Sequence, residues 1–323
     1  MADETPTVSV VIPTRNRPEL LRKALDSVLA QTYPDYEVVV VVDGPDVPTE
    51  DLLRAEPDPR VHVHVSTESK GGGAARNEAI RRATGDWIAF LDDDDLWMPT
   101  KLERQMERVL SRGEDVISFT QLIARAPHGS YIWPRRGPRA GEHVSEYLFA
   151  RRSLFAGEGG VQTSTIIAPR RLAVATPMDE SLRRLQDIDW LLRAVASGAR
   201  LDFLPQVLTI WHIEERRATV TAEHQRDWRL LYDWIVAHRA LVTPRAYAAF
   251  LLVRGGGATA ASLDLRGAMT VWREAFRDGR PAPIDIVLFI GRWMLPAALR
   301  RWVRARLSPG KASTDGRPGR EAR

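Results

Sequence analysis

Four consecutive carboxylates, Asp92-Asp93-Asp94-Asp95, close an apolar run at 87–91. Neighbouring like charges repel by about 1 kcal/mol per close pair even in water. A run of four is therefore held more readily with a cation beside it. Carboxylates at the end of a strand suit Mg2+ or Mn2+, hard ions that take a few protein oxygens and complete their shells with water and phosphate. The competing reading is a solvated acidic turn capping a helix from Pro99. Asp43-Gly44 ends a second strand, where an acid can accept hydrogen bonds from a ribose or base. Gly71-Gly72-Gly73 leads into Ala74-Ala75-Arg76-Asn77, which offers backbone amides and a guanidinium to an anion, or simply turns the chain. There is no Gly-Lys-Ser/Thr phosphate loop and no GxGxxG fingerprint.

Hydrophobic spacing says what must position these groups. Strands are expected at 7–12, 36–42, 61–65, 87–91 and 115–120. Helices are expected from Pro18, at 49–55, 73–83 and 99–110. The five valines of 38–42 fit a strand buried on both faces, as in a parallel sheet. Alternating strands and helices give an α/β layer with ligands beyond the strand C-termini. Residues 121–160 read as loop-rich, 160–168 and 200–212 as strands, and 185–196 as a helix. Beyond 221 the spacing is helical throughout, and 308–323 has the Gly, Ser, Pro and Arg content of a disordered tail. The expected organisation is a domain over 1–222, a helical extension over 223–307 and a basic tail over 308–323.

Composition removes several functions. The chain has 323 residues and no cysteine, which excludes disulfides, zinc–thiolate sites, iron–sulfur clusters and cysteine nucleophiles. A net charge of +4 is too small to indicate nucleic acid. From 280 to 323 there are ten Lys/Arg against three acids, so the remainder is slightly acidic. No leader is visible at 1–7, and no run approaches the roughly 18 apolar residues of a spanning helix, so a cytoplasmic protein is expected. Residues 284–307 join aliphatic and Trp side chains to clustered arginines. That suits an interfacial helix on the inner face of an anionic membrane, or a helix packed on the rest of the chain or on a second copy.

Read together and in order, five segments resemble glycosyltransferase family 2. They are VSVVIPTRNRPELLRKALDSVLAQTY (8–33), VVVVVDG (38–44), GGGAARNEAI (71–80), ATGDWIAFLDDDDLWMPTKLERQ (83–105) and MDESLRRLQDIDWLLRAVASG (178–198). The resemblance implies the GT-A fold, a mixed, mostly parallel sheet flanked by helices. It also implies inverting transfer from a nucleotide-diphosphate sugar to a hydroxyl of a glycan, lipid-linked or small-molecule acceptor. On this likeness Pro13, Thr14, Arg15 and Asn16 form the nucleotide-contacting first turn, Asp43 faces the base and Arg76 touches the diphosphate. Asp94 becomes the metal ligand, Asp92 and Asp93 turn to ribose or metal waters, and Asp95 is an acid at a helix start. Asp187 takes the general-base position, with Asp189 as fallback. The preceding residue is Gln186 where many members have glutamate, which removes a like charge from Asp187. His212 falls where some relatives place a histidine near metal or phosphate, against the commoner structural role.

Other readings stay open at this level. Gln186 would suit a degenerate nucleotide-sugar-binding protein, and the α/β layer would suit a sugar-phosphate nucleotidyltransferase. His62 and His64 alternate on one strand without a third ligand nearby, and Trp97 could stack on a sugar or pack in the core. The segment 121–160, with Trp133, Arg135 and Arg136, is a lid or a surface insertion. The sequence leaves the donor, the acceptor and the oligomeric state undetermined.

Overall fold

A computed structural model describes residues 7–113, 115–126, 129–153, 157–213 and 227–295. Strand β1 (Val8–Thr14) is buried along its whole length, as a central strand covered on both faces must be. It lies parallel to β2 (Tyr36–Val42) and β4 (Trp87–Phe90), and β2 continues to β3 (Val61–Val65) at the edge. Connecting them are α1 (Pro18–Leu29), α2 (Val47–Arg54) and α3 (Gly72–Arg82). Because these strands are parallel, the residues after β1, β2 and β4 emerge on one edge together with the N-terminus of α3.

The sheet order is β3-β2-β1-β4-β8-β6-β9-β5, with β7 paired to β6. Here β5 is Leu96–Trp97, β6 Val116–Ala126, β7 Gly129–Trp133, β8 Ile167–Pro169 and β9 Arg200–His212. Helices α4 (Lys101–Leu110), α5 (Val144–Phe149), α6 (Arg170–Ala175) and α7 (Gln186–Ala196) complete this part. Described residues after 227 form α8 (Trp228–Ala237), a 3-10 turn, α9 (Pro244–Ala249), a π-helical stretch Phe250–Gly255, α10 (Gly256–Ser262), α11 (Leu265–Arg277) and α12 (Pro283–Met294).

Two apolar clusters cover the sheet. On one face Val8, Val10 and Ile12 meet Leu21 and Leu25 of α1 and Leu102 and Met106 of α4. On the other, Val11 and Phe90 share a cluster with Ala79 of α3, Trp190 of α7 and Trp234, Phe250 and Val271 of the C-terminal helices. The helical region is thus continuous with the sheet's own core.

One expectation is refined and one corrected. The loop-rich segment 121–160 also carries regular structure: β6 runs on to Ala126 and pairs antiparallel with β7, and α5 follows. Strand β7 is largely exposed, so it lacks the apolar alternation that marks a half-buried strand. Residues 160–168 are not one strand. The Gln162 side chain accepts from Ser164 N and folds Thr163–Thr165 into a 3-10 turn, leaving β8 only three residues. The expected boundary at 222 and the tail 308–323 lie outside the described residues. No helix among the described residues is long and apolar enough to cross a membrane.

Candidate active site

The first turn after β1 carries the expected Pro13–Asn16 loop. Thr14 is buried and donates through Oγ1 to Asp93 Oδ2 at 2.8 Å. Arg15 reaches across to Ser69 Oγ. Asn16 adopts φ +53°, a left-handed conformation asparagine tolerates, and its N–H donates to Asp46 Oδ2 at 2.5 Å. One residue on lies a group that the sequence reading missed: Arg17 Nη1 contacts Asp93 Oδ1 at 3.0 Å and Asp94 Oδ2 at 3.3 Å. Burial works against the Arg17 charge, but Asp93 and Asp94 outweigh it and its pKa is raised.

Asp43 is buried and accepts from Ser69 Oγ (2.7 Å), Lys70 N (2.8 Å) and Gly71 N (3.0 Å). It therefore fastens the glycine loop to the end of β2. Gly73 lets Gln186 approach closely, since a Cβ there would stand 2.9 Å from Gln186 Nε2 and push that side chain aside. Beyond it, Arg76 donates to Asp92 Oδ1, and its Nη1 donates to Gln186 Oε1 at 3.2 Å. Burial opposes the Arg76 charge, yet Asp92, Asp187 and Asp93 together hold its pKa above normal.

Carboxylate oxygens of Asp92, Asp94 and Asp95 lie within 4.8 Å of one another. Asp93 turns the other way, to Thr14 and Arg17; burial raises its pKa although both partners pull it down. Asp95 does not start a helix, because α4 begins only at Lys101. It is fully buried and accepts from Ser164 Oγ (2.6 Å) and Gln162 Nε2 (2.7 Å), while its Oδ1 has no hydrogen-bond partner. Burial pushes its pKa well up, with Asp92 and Asp94 adding to the effect. An all-oxygen donor set with an unsatisfied buried oxygen fits a hard divalent cation.

Strand pairing brings His212 to this turn. Leu96 faces Ile210 in an antiparallel ladder, and two more residues in that register set Asp94 opposite His212. His212 Nδ1 lies 3.2 Å from the Asp94 carbonyl oxygen. A carbonyl only accepts, so Nδ1 is the donor in this contact. Trp97 packs in the core, donating to Ser164 O at 2.8 Å with Lys101 Nζ 4.0 Å above its ring. His62 and His64 are not a metal pair, for they turn to Glu37 and Glu78 respectively.

Asp187 lies in the first turn of α7, where Leu185 at φ +64° precedes the helix. A left-handed leucine costs about 1–2 kcal/mol, strain of the kind that collects at functional sites. Asp187 accepts from Ile188 N at 2.9 Å. Burial raises its pKa and Asp92 raises it further, while Arg76 and Arg254 oppose. Asp189 is occupied differently. It is fully buried and accepts from Arg193 Nε (2.8 Å) and Trp234 Nε1 (3.3 Å), with His238 Nε2 at 2.6 Å. It ties α7 to α8.

Residues 9–171 match the model of the family described as Glycosyl transferase family 2. The chain is 31% identical over 218 residues to the amylovoran biosynthesis glycosyltransferase AmsB of Erwinia amylovora, covering 64% of this chain and 70% of that protein. It is 36% identical over 112 residues to the UDP-Glc:alpha-D-GlcNAc-diphosphoundecaprenol beta-1,3-glucosyltransferase WfgD of Escherichia coli, 35% of this chain and 43% of that one. The fold is similar to that of the mannosyltransferase PcManGT from Pyrobaculum calidifontis, solved with GDP-Man and Mn2+. That alignment has a TM-score of 0.60 at 20% identity and covers 94% of this chain and 85% of that chain.

Proposed function

The chain belongs to glycosyl transferase family 2, and from that premise we propose a metal-dependent, inverting transfer from a nucleotide-diphosphate sugar to an acceptor hydroxyl, with Asp187 as general base. The acceptor class is a glycan under assembly, lipid-linked or polymeric; this follows the biosynthetic names of the relatives, and a small-molecule acceptor is the alternative. The observation that carries the reading is Arg76 joining Asp92 of the acid turn to Gln186, the residue before Asp187, which brings the two ends of the site together.

Asp92, Asp94 and Asp95 would hold Mg2+ or Mn2+, with His212 bound to the Asp94 backbone at the same turn. Such an ion would stabilise the charge gathering on the departing diphosphate. Arg76 adds a second cation at the N-terminus of α3, where free backbone amides also favour an anion. The Pro13–Asn16 turn and Asp43 flank the nucleoside. Asp187 takes the proton of the attacking hydroxyl, and attack opposite the leaving group inverts the anomeric carbon. Asp189 has no such freedom, since Arg193, Trp234 and His238 already engage it.

Incubation with UDP-, GDP- and dTDP-sugars and Mn2+ tests this through the product. Nucleoside diphosphate supports transfer, pyrophosphate supports a nucleotidyltransferase, and binding without turnover supports a degenerate site. Asp187→Asn is expected to lower transfer about 10²–10⁴-fold with nucleotide affinity retained, and wild-type transfer in that variant sinks the assignment.

The same reading places the protein at the inner membrane face, touching it through 284–307. Helix α12 exposes Val287, Ile290 and Met294, while 296–307 lie outside the described residues. Co-sedimentation with anionic vesicles at low salt is expected to weaken in Ile290→Glu; no binding of the wild-type chain refutes the contact.

A further inference from the structure

The C-terminal helices close a cavity of about 250 Å3 whose wall mixes aromatic rings with guanidinium groups. Trp133 enters from β7, Phe149 and Arg151 from α5 and the residues after it, and Phe250 and Arg254 from the π-helical stretch. Arg292 comes from α12. Among the described residues, Glu158 is the only acid in the lining. The described lining thus holds three arginines and one glutamate.

Two features make this a built site. A π-helical stretch is a rare interruption of an α-helix and is frequently found at functional positions. Here it supplies Phe250, Val253 and Arg254 to the wall, and Arg292 Nη1 donates to the Val253 carbonyl. The second feature is Arg254 itself. Its guanidinium lies 5.7 Å from the centre of the Phe149 ring and 5.8 Å from that of Phe250. Among the described residues it donates no hydrogen bond to an oxygen acceptor. The side chain is exposed, with Asp187, Arg184 and Arg151 near enough to act on its charge. Cations drawn together on a partly apolar wall are unfavourable alone and become favourable around an anion.

We propose that this cavity is an acceptor subsite in which Arg254, supported by Arg151 and Arg292, binds a phosphate or diphosphate carried by the acceptor beside Asp187. The inference rests on Asp187 being the base. Aromatic walls suit the face of the attached sugar, and planar guanidinium groups suit phosphate oxygens. An acceptor held there is selected by its charge, independently of the donor.

The test compares three acceptors with the same terminal sugar: an alkyl-diphosphate glycoside, a phosphodiester-linked glycan and a neutral alkyl glycoside. In the wild-type protein a charged acceptor is expected to show a KM at least tenfold below the neutral one, and the preferred charged form identifies the source of the phosphate. Arg254→Gln is expected to raise that KM at least tenfold with little change for the neutral glycoside, and Arg254→Lys to restore part of it. Equal losses on charged and neutral acceptors, or no charge preference in the wild-type protein, overturn the subsite. Inorganic pyrophosphate supplies a readout independent of turnover. With the donor site filled by nucleoside diphosphate and Mn2+, its binding is expected to weaken at least tenfold in Arg254→Gln, and unchanged binding counts against the pocket. If no nucleotide sugar is turned over at all, the transferase reading fails, whereas pyrophosphate binding still decides the pocket.

Discussion

The two sides of the candidate site manage charge in opposite ways. On the strand-end side every aspartate has a partner within the fold. Arg17 bridges Asp93 and Asp94, Arg76 meets Asp92, and Ser164 and Gln162 hold Asp95. On the helical side, Arg254 rests over aromatic rings and faces a cavity with one acid in its wall. The first arrangement holds a geometry already set and tolerates an added cation. The second leaves cationic demand for something that arrives. On the proposed function the first side would serve the donor and the second the acceptor.

The contrast can be broken at its strongest point first. Asp94→Asn removes an acid from the turn while Arg17 keeps Asp93. Metal-stimulated turnover is expected to fall at least about a hundredfold, the scale of a metal's several-kcal/mol contribution to transition-state charge. Titration of rate against Mn2+ checks it, and an unchanged titration would remove Asp94 from the metal site. Substitution at Arg254 should act through acceptor KM instead, so equal effects from the two changes would erase the distinction.

A smaller effect sharpens the electrostatics. Asp187 must be ionised to act, and its ionised fraction falls as pH drops through its pKa. Burial already lifts that pKa above the usual ~3.9 of an aspartate. Gln186→Glu adds a negative charge beside Arg76 and Asp187, so the acid limb of kcat/KM should move upward by about 0.5–1 pH unit. A limb that stays or moves down would show that Arg76, drawn to the new glutamate, dominates instead.

Strands β1, β2 and β4 and helices α1 through α4 were legible because a doubly buried strand writes a continuous apolar run and an amphipathic helix writes its period, while the edge strand β3 showed itself by alternating valine and histidine. Asp43, Arg76 and the acid turn could be singled out because each sits where a strand ends or a helix begins. Arg17 could not, for its partners are 76 and 77 residues away and nothing local marks the pairing. His212 was singled out through the family resemblance alone, since its contact with Asp94 depends on strand register, which sequence spacing does not give. Arg254 reads as an ordinary helical arginine, since a π-helical stretch leaves no periodic mark over six residues. Asp95 was misplaced for a related reason: its partners Gln162 and Ser164 come from a turn that had the composition of a strand.

The shared core has a consequence for recombination. The family match ends at 171, but Phe90 packs edge-on against Trp190, and the same cluster runs through Trp234 to Val271. A cassette cut at the end of the match would bare one face of the sheet and discard Asp187 with α7. Exchange of acceptor preference between relatives is better sought by grafting side chains around the π-helical stretch than by swapping whole segments.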